Sequence, residues 1–129
     1  MALQHDRGRR GEDLAARFLE GLGWTVLDRN WRAGHAELDL VARSGTTIAF
    51  VEVKTRAYPG LAAAEFDPLE SVTPRKMREV ERASAAWIRM RTERIRGVRT
   101  FRFDAIGVEL VPGRPPRVHH VPDAWRGER

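Results

Sequence analysis

Apolar and polar residues alternate with a period of two through Ala36–Leu40 and again through Ile48–Lys54, which is the pattern of two half-buried β-strands. Ser44-Gly45 between them reads as a hairpin turn. In the first strand Ala36, Leu38 and Leu40 fall on one face and Glu37 and Asp39 on the other, while in the second Ile48, Phe50, Glu52 and Lys54 share a face. Upstream, Leu14, Ala15, Phe18, Leu19 and Leu22 recur at helical spacing, so a helix is predicted from about Gly8 to Leu22, ended by Gly21 and Gly23. Trp24–Trp31 then reads as a strand. Downstream, Thr73 is placed to cap a helix with Pro74 at its first position, running to about Arg94 with Met77, Val80, Ala83, Trp87, Ile88 and Arg91 inward. Val98–Val111 supplies further strand, and Arg117–Val121 an edge strand. The order helix, three strands, helix, two strands predicts an α/β fold with a mixed central sheet flanked by helices.

Charged residues interrupt this apolar pattern at one place. Residues opposite each other on antiparallel strands point to the same side, so the hairpin register decides whether the charges meet. A two-residue Ser44-Gly45 loop pairs Arg43 with Thr46, Asp39 with Phe50 and Glu37 with Glu52. Asp39 is then diagonal to Glu52 at roughly 7 Å between Cβ atoms, close enough for both carboxylates to hold one cation. An odd loop would separate them. Two carboxylates crowded together repel, and burying them uncompensated costs several kcal/mol per ion by order of magnitude, so a positive group is expected between them. Mg²⁺ and Mn²⁺ prefer oxygen ligands, and Mg²⁺ is commonly held by one or two carboxylates with waters and substrate phosphate. Lys54, two residues beyond Glu52, is suited to orienting an attacking water or to steadying charge on a phosphate. Cross-strand ion pairs on a half-exposed sheet are the alternative reading, and Phe50 on the charged face argues against it.

Asp39, a short turn and then Glu52-Val53-Lys54 resembles the Asp…Glu-x-Lys core of the restriction-endonuclease-like nuclease superfamily. The likeness extends to the bacterial YraN-like family through Gly8-Arg9-Arg10-Gly11-Glu12, Asn30-Trp31-Arg32, Glu37–Ala42, Phe50–Arg56, Glu70–Lys76 and Phe103-Asp104. Ala36 stands where that pattern usually has glycine. The resemblance implies a restriction-endonuclease-like core and a metal-dependent endonuclease acting on DNA, similar to Holliday-junction-resolvase-type enzymes, whose two-site chemistry needs a homodimer. It also implies that Glu12 is a third acidic ligand or water-positioning group; by position alone it is equally a first-turn glutamate favoured by the helix dipole. Lys76 matches the lysine that opens the second helix in the family, either touching a phosphate oxygen or simply solvated. Glu37 and Arg56 lie within the matched motifs as further site candidates, and Arg9 and Arg10 either guide a phosphate backbone or are solvated. A non-catalytic nucleic-acid-binding or adaptor protein on the same scaffold is the second class of function.

Composition narrows these readings only modestly. Lysine and arginine outnumber aspartate and glutamate by 23 to 18 in 129 residues, which suits a polyanionic partner such as DNA. Cysteine is absent, so disulfides, thiolate metal sites and cysteine nucleophiles are excluded. No stretch is apolar enough to span a membrane, and the opening Met-Ala-Leu-Gln-His-Asp-Arg lacks a secretion signal's apolar core, so a cytoplasmic location is expected. Residues 1–111 are expected to form the nuclease-like domain, and 112–129, with four prolines and four arginines, a tail carrying the edge strand. The long connection from Ala57 to Leu69 either covers substrate or is a passive crossover. Asp104 is expected as a structural edge or turn acid, and His119-His120 as lacking the partners a transition-metal site needs.

Overall fold

The structure, a computed structural model, describes residues 2–58 and 67–127, with side chains apart from those of residues 2–7 and Ser71. Its elements are α1 (Ala2–Gly21), β1 (Thr25–Ala33), β2 (Ala36–Ser44), β3 (Thr47–Ala57), a 3₁₀ turn (Pro68–Ser71), α2 (Pro74–Met90), a second 3₁₀ turn (Thr92–Arg94), β4 (Thr100–Leu110) and β5 (Arg117–Trp125). The five strands form one sheet in the order β1-β2-β3-β4-β5. Only β3 and β4 are parallel, and α2 makes the crossover between them. This mixed α/β architecture is compatible with a restriction-endonuclease-like core. Residues 59–66, most of the long connection read as either a substrate cover or a passive crossover, are outside the described part.

Each helix covers one face of the sheet. Ala15, Ala16 and Leu19 of α1 pack with Leu40, Ala42, Ala49, Val51, Ile106 and Val108. On the other side Val80, Ala83 and Trp87 of α2 pack with Leu38, Val41, Ile48, Phe50 and Ala105. Thr73 caps α2 as expected, its hydroxyl accepting from the Lys76 N–H at 3.1 Å. Several boundaries differ from the sequence reading. Leu22 lies past the end of α1 and is exposed. The α2 helix stops at Met90, where Arg91 turns its guanidinium to Asp28 at 3.0 Å beside the indole N–H of Trp87, which donates to the same carboxylate at 2.7 Å. Ser84, on the buried face of α2, donates to the Glu81 carbonyl at 2.7 Å.

The hairpin register is shifted by two from the expected one. Ser44 pairs with Thr47 and Leu40 with Val51, so the two-residue loop is Gly45-Thr46. Gly45 has φ +60°, a conformation costly for residues with a Cβ, and this places the turn one residue later than Ser44-Gly45. Because the loop is still even, the faces of β3 survive, with Ile48 and Phe50 on the α2 side. In β2 the expected alternation fails: Leu38 belongs to the α2-side core and Leu40 to the α1-side core. The neighbouring β1 changes sides at the same level, since Trp31 packs on the α2 side while Arg29 pairs with Asp13 of α1. Asn30 between them adopts φ +49°, which asparagine tolerates better than a β-branched residue. Asp39 sits at this change of face.

The C-terminal stretch is built into the sheet. β5 runs to Trp125, which stacks on Phe103 with centroids 5.2 Å apart and belongs to the α2-side core. Asp104 is fully buried rather than at an edge. It is held by Arg102 at 2.9 and 3.0 Å, by a His120 ring nitrogen at 2.8 Å and by the Asp123 N–H at 3.0 Å. Both histidines therefore have carboxylate neighbours, His119 lying 3.6 Å from Glu109. Burial opposes the charge of Asp104, but His120 and Arg102 outweigh it and keep its pKa below the ordinary value. These are structural anchors of β4 to β5.

Candidate functional site

Where β1 and β2 change sides, the β2–β3 ladder stops and the backbone opens. The last paired residues are Leu40 and Val51, and one further step in that register sets Asp39 directly opposite Glu52, rather than diagonal to it. The Val53 N–H, no longer taken by a strand carbonyl, donates to Asp39 Oδ2 at 2.8 Å. This bond fixes the carboxylate between the two strands, where groups from both helices reach it.

From the α1 side comes Glu12. Its carboxylate and those of Glu37 and Asp39 each offer an oxygen within 4.8 Å of the others, a spacing suited to a shared cation. The approach depends on Gly11: a Cβ there would lie 1.7 Å from Thr55 Oγ1, so α1 rests with its backbone against β3. Asn30, the residue that turns β1, lies beside Glu12 and partly offsets the rise of its pKa. From the α2 side comes Lys76, whose Nζ is 3.5 Å from Glu52 Oε1. Glu37 is additionally paired with Arg32 at 2.9 Å.

Four carboxyl groups thus meet one well-placed lysine. Burial, and then the charge of Asp39, pushes Glu52 up to about 8; Lys76 opposes the rise without cancelling it. Asp39 is also raised, chiefly by burial and against the Val53 N–H. Asp39 and Glu52 face each other closely enough that a proton kept by Glu52 would lie between the two carboxyls. Glu12 is raised by burial and by Asp39. Burial works against the charge on Lys76, but Glu52 and Asp39 together hold its pKa above the ordinary value. Glu52 Oε2 is buried and has no hydrogen-bond partner among the described residues. Such a set fits a hard divalent cation: all donors are oxygens, they carry excess negative charge, and one of them lacks a partner.

The structure brings together Glu12, Glu37, Asp39, Glu52 and Lys76. Glu37, a secondary candidate by sequence, stands in the tightest acidic trio, while Glu52 adjoins that trio through Asp39. Lys54 is exposed and makes no hydrogen bond or ion pair with a described residue. Arg56 stands beside Glu109 in the β3–β4 register, two residues further along β3. Arg9 and Arg10 are exposed on α1, and Arg10 lines a separate cavity of about 340 Å³ with Tyr58 and Arg114. Sequence reasoning did not single out Gly11 or Asn30, although a glycine and an asparagine each flanking a matched acidic or aromatic residue were a signal for close approach and positive φ.

Residues 11–108 match the profile of the uncharacterised protein family UPF0102. The chain belongs to this family. A UPF0102 protein of Leifsonia xyli subsp. xyli is 41% identical over 122 residues, covering 95% of this chain and 98% of that protein. UPF0102 proteins of Geobacter sulfurreducens and Rhodococcus opacus are 41% and 40% identical over 118 residues, covering 92% of this chain and 87% and 94% of theirs. The UPF0102 match spans every member of the acidic cluster, from Glu12 to Lys76, and all of β4 as far as Val108. No helix among the described residues is long and apolar enough to cross a membrane.

Proposed function

We propose that this UPF0102 protein is a metal-dependent endonuclease that hydrolyses phosphodiester bonds in DNA, acting in the cytoplasm. The observation that carries the reading is the convergence of Glu12, Glu37, Asp39 and Glu52 on one opening, where burial raises the pKa of both Asp39 and Glu52 and Glu52 Oε2 has no partner among the described residues. Asp39, Glu12 and Glu37 would hold Mg²⁺ or Mn²⁺, with Glu52 completing the set once its proton leaves. The ion supplies Lewis acidity toward a phosphate oxygen and a bound water of lowered pKa. Glu52, deprotonated near pH 8, is suited to accept a proton from that water. Lys54, on the same face of β3 and without another partner among the described residues, would orient the nucleophile or offset charge on the phosphate; Lys76 partly offsets the repulsion between the carboxylates meanwhile. Cleavage of four-way junctions would require a dimer, since two strands must be cut.

One observation favours a second reading, a nucleic-acid-binding module without cleavage. Lys76 already supplies a counter-charge to Glu52, so the cluster is tolerable without a metal. Labelled single-stranded, duplex, flap and four-way-junction DNA incubated with Mg²⁺ or Mn²⁺ separates the two. Wild type should cut at least one substrate, and Asp39→Asn, Glu52→Gln and Lys54→Ala should each lower the rate by about a hundredfold or more. DNA bound but uncut under every condition would leave the binding module standing.

A further inference from the structure

Across the opposite end of the sheet from the C-termini of β3 and β4 runs a groove of about 450 Å³ that the carboxylate chemistry does not use. Its walls are aromatic and basic by turns. Phe101 and Phe103 rise from β4, and Trp125 from β5, with Arg99 and Arg126 at the rims. The rings form a continuous array: Phe101 lies nearly parallel to Phe50 (14°, centroids 6.1 Å), Phe50 meets Phe103 at 5.9 Å, and Phe103 stacks on Trp125 at 11°. Three members are largely enclosed, but Phe101 is 40% exposed, which is unusual for so large an apolar ring at the end of an ordered stack. The Trp125 indole N–H, buried beside the groove, has no partner among the described residues.

From this array we infer that the groove is a binding platform for single-stranded DNA, with an unstacked base laid on Phe101 as the next ring of the stack. Bases of any sequence have π faces that extend such an array, and guanidinium groups beside it take the phosphates. Charge supports this occupant. Arg99, Arg102 and Arg126 line the groove against one lining carboxylate, Asp123, which Arg126 pairs with at 3.3 Å on the exposed rim, and Arg102 is already engaged with buried Asp104 and with the face of Trp24. Arg99 is exposed and forms no ion pair with a described residue. In the β3–β4 register Phe101 is level with Ile48, four residues before Glu52, so the platform stands roughly 13 Å along β3 from the carboxylates. It therefore adds an unpaired strand to the substrate class. The choice of DNA over other single-stranded polyanions rests on the nuclease reading above, whereas the stacking platform does not.

The test is fluorescence anisotropy with a labelled oligothymidylate and a duplex of equal length, in EDTA so that no cleavage occurs. Wild type should prefer the single strand. Phe101→Ala and Arg99→Ala should each weaken its binding about five- to tenfold, Phe101→Trp should restore or tighten it, and Glu20→Asp, on the exposed side of α1, should bind like wild type. Recovery with tryptophan is the feature that a purely packing role for Phe101 would not produce. Unchanged binding in Phe101→Ala would overturn the platform. So would a change from dimer to monomer in Phe101→Ala without loss of oligonucleotide binding, because the groove would then hold a second copy of the chain. Platform-dependent binding with no cleavage under any metal condition would keep this inference and remove the nuclease. Metal-dependent cleavage with no single-strand binding would do the reverse.

Discussion

Glu52 is the residue whose behaviour separates a poised site from an inert ion pair. Its pKa lies at about 8 against an ordinary 4.5, because burial and Asp39 both disfavour its charge and Lys76 only partly compensates. Between those values the folded protein keeps a proton that the unfolded chain has released. Stability contributed by this group is therefore complete below about pH 4.5 and is lost as pH rises toward 8. Glu52→Gln removes the titration while keeping the shape. In EDTA, urea unfolding of that variant should vary less with pH between 5 and 8 and show a gain of roughly 1–3 kcal/mol at pH 8, since Asp39 takes part of the shared proton. Parallel stability curves for the two proteins would mean that Glu52 is already ionised and fully neutralised by Lys76. Lys54→Ala carries a different expectation: because Lys54 is exposed and unpartnered among the described residues, its loss should alter chemistry and leave stability unchanged.

At the scale of elements, the site exists because three chain segments depart from regular geometry at the same level. β1 turns at Asn30, β2 changes faces at Asp39, and α1 comes within backbone contact of β3 at Gly11. Gly11→Ala tests the last of these. Alanine favours a helix interior by about 1 kcal/mol over glycine, but the new methyl would meet Thr55 Oγ1 at 1.7 Å and Thr55 Cβ at 2.9 Å. Relief requires α1 or β3 to move, at a cost of about 1–3 kcal/mol, and movement of α1 takes Glu12 away from Asp39. Chemical unfolding should show net destabilisation, with Mn²⁺ affinity falling further than in a Glu20→Ala control on the exposed side of α1. Adding Thr55→Ala removes the closest atom and should recover part of both; no coupling between the two substitutions would show that α1 is positioned some other way. These departures are also why the sequence was only partly readable. Element order and the inward stripe of α2 follow from periodicity, and the even hairpin loop preserved the faces of β3 despite a register two residues out. The switch that puts Leu38 and Leu40 in opposite cores cannot follow from a rule of strict alternation, and it is the switch that brings Glu37 beside Glu12, while the two-residue register shift sets Asp39 opposite Glu52. Lys76 as the partner of Glu52 was equally out of reach, because it depends on how α2 lies over the sheet after a connection of unconstrained length.

Taken over the whole molecule, the carboxylates stand where α1, the central hairpin and α2 all meet, so a bound ion would tie both layers of helix to the sheet. Ligand binding to the folded state alone stabilises by mass action, about 2.7 kcal/mol at a hundred times Kd, which for a chain of this size is a rise in melting temperature of roughly 10 °C. Mn²⁺ should therefore raise the melting temperature at pH 8, and Asp39→Asn should abolish the rise, while Lys54→Ala should retain it because that lysine holds no ion. The rise should shrink at pH 6, where the proton shared by Asp39 and Glu52 competes with the metal, and binding at pH 7 should release close to one proton measurable by calorimetry in buffers of different ionisation enthalpy. Lys76 gives the sign its sharpest check. Its ammonium stabilises the metal-free cluster and competes with a cation for Glu52, so Lys76→Met should lower the melting temperature in EDTA and enlarge the rise on adding Mn²⁺. A smaller rise in Lys76→Met would instead make the lysine part of the ion's surroundings, and an equal rise in wild type and Asp39→Asn would remove the metal centre from this end of the sheet altogether.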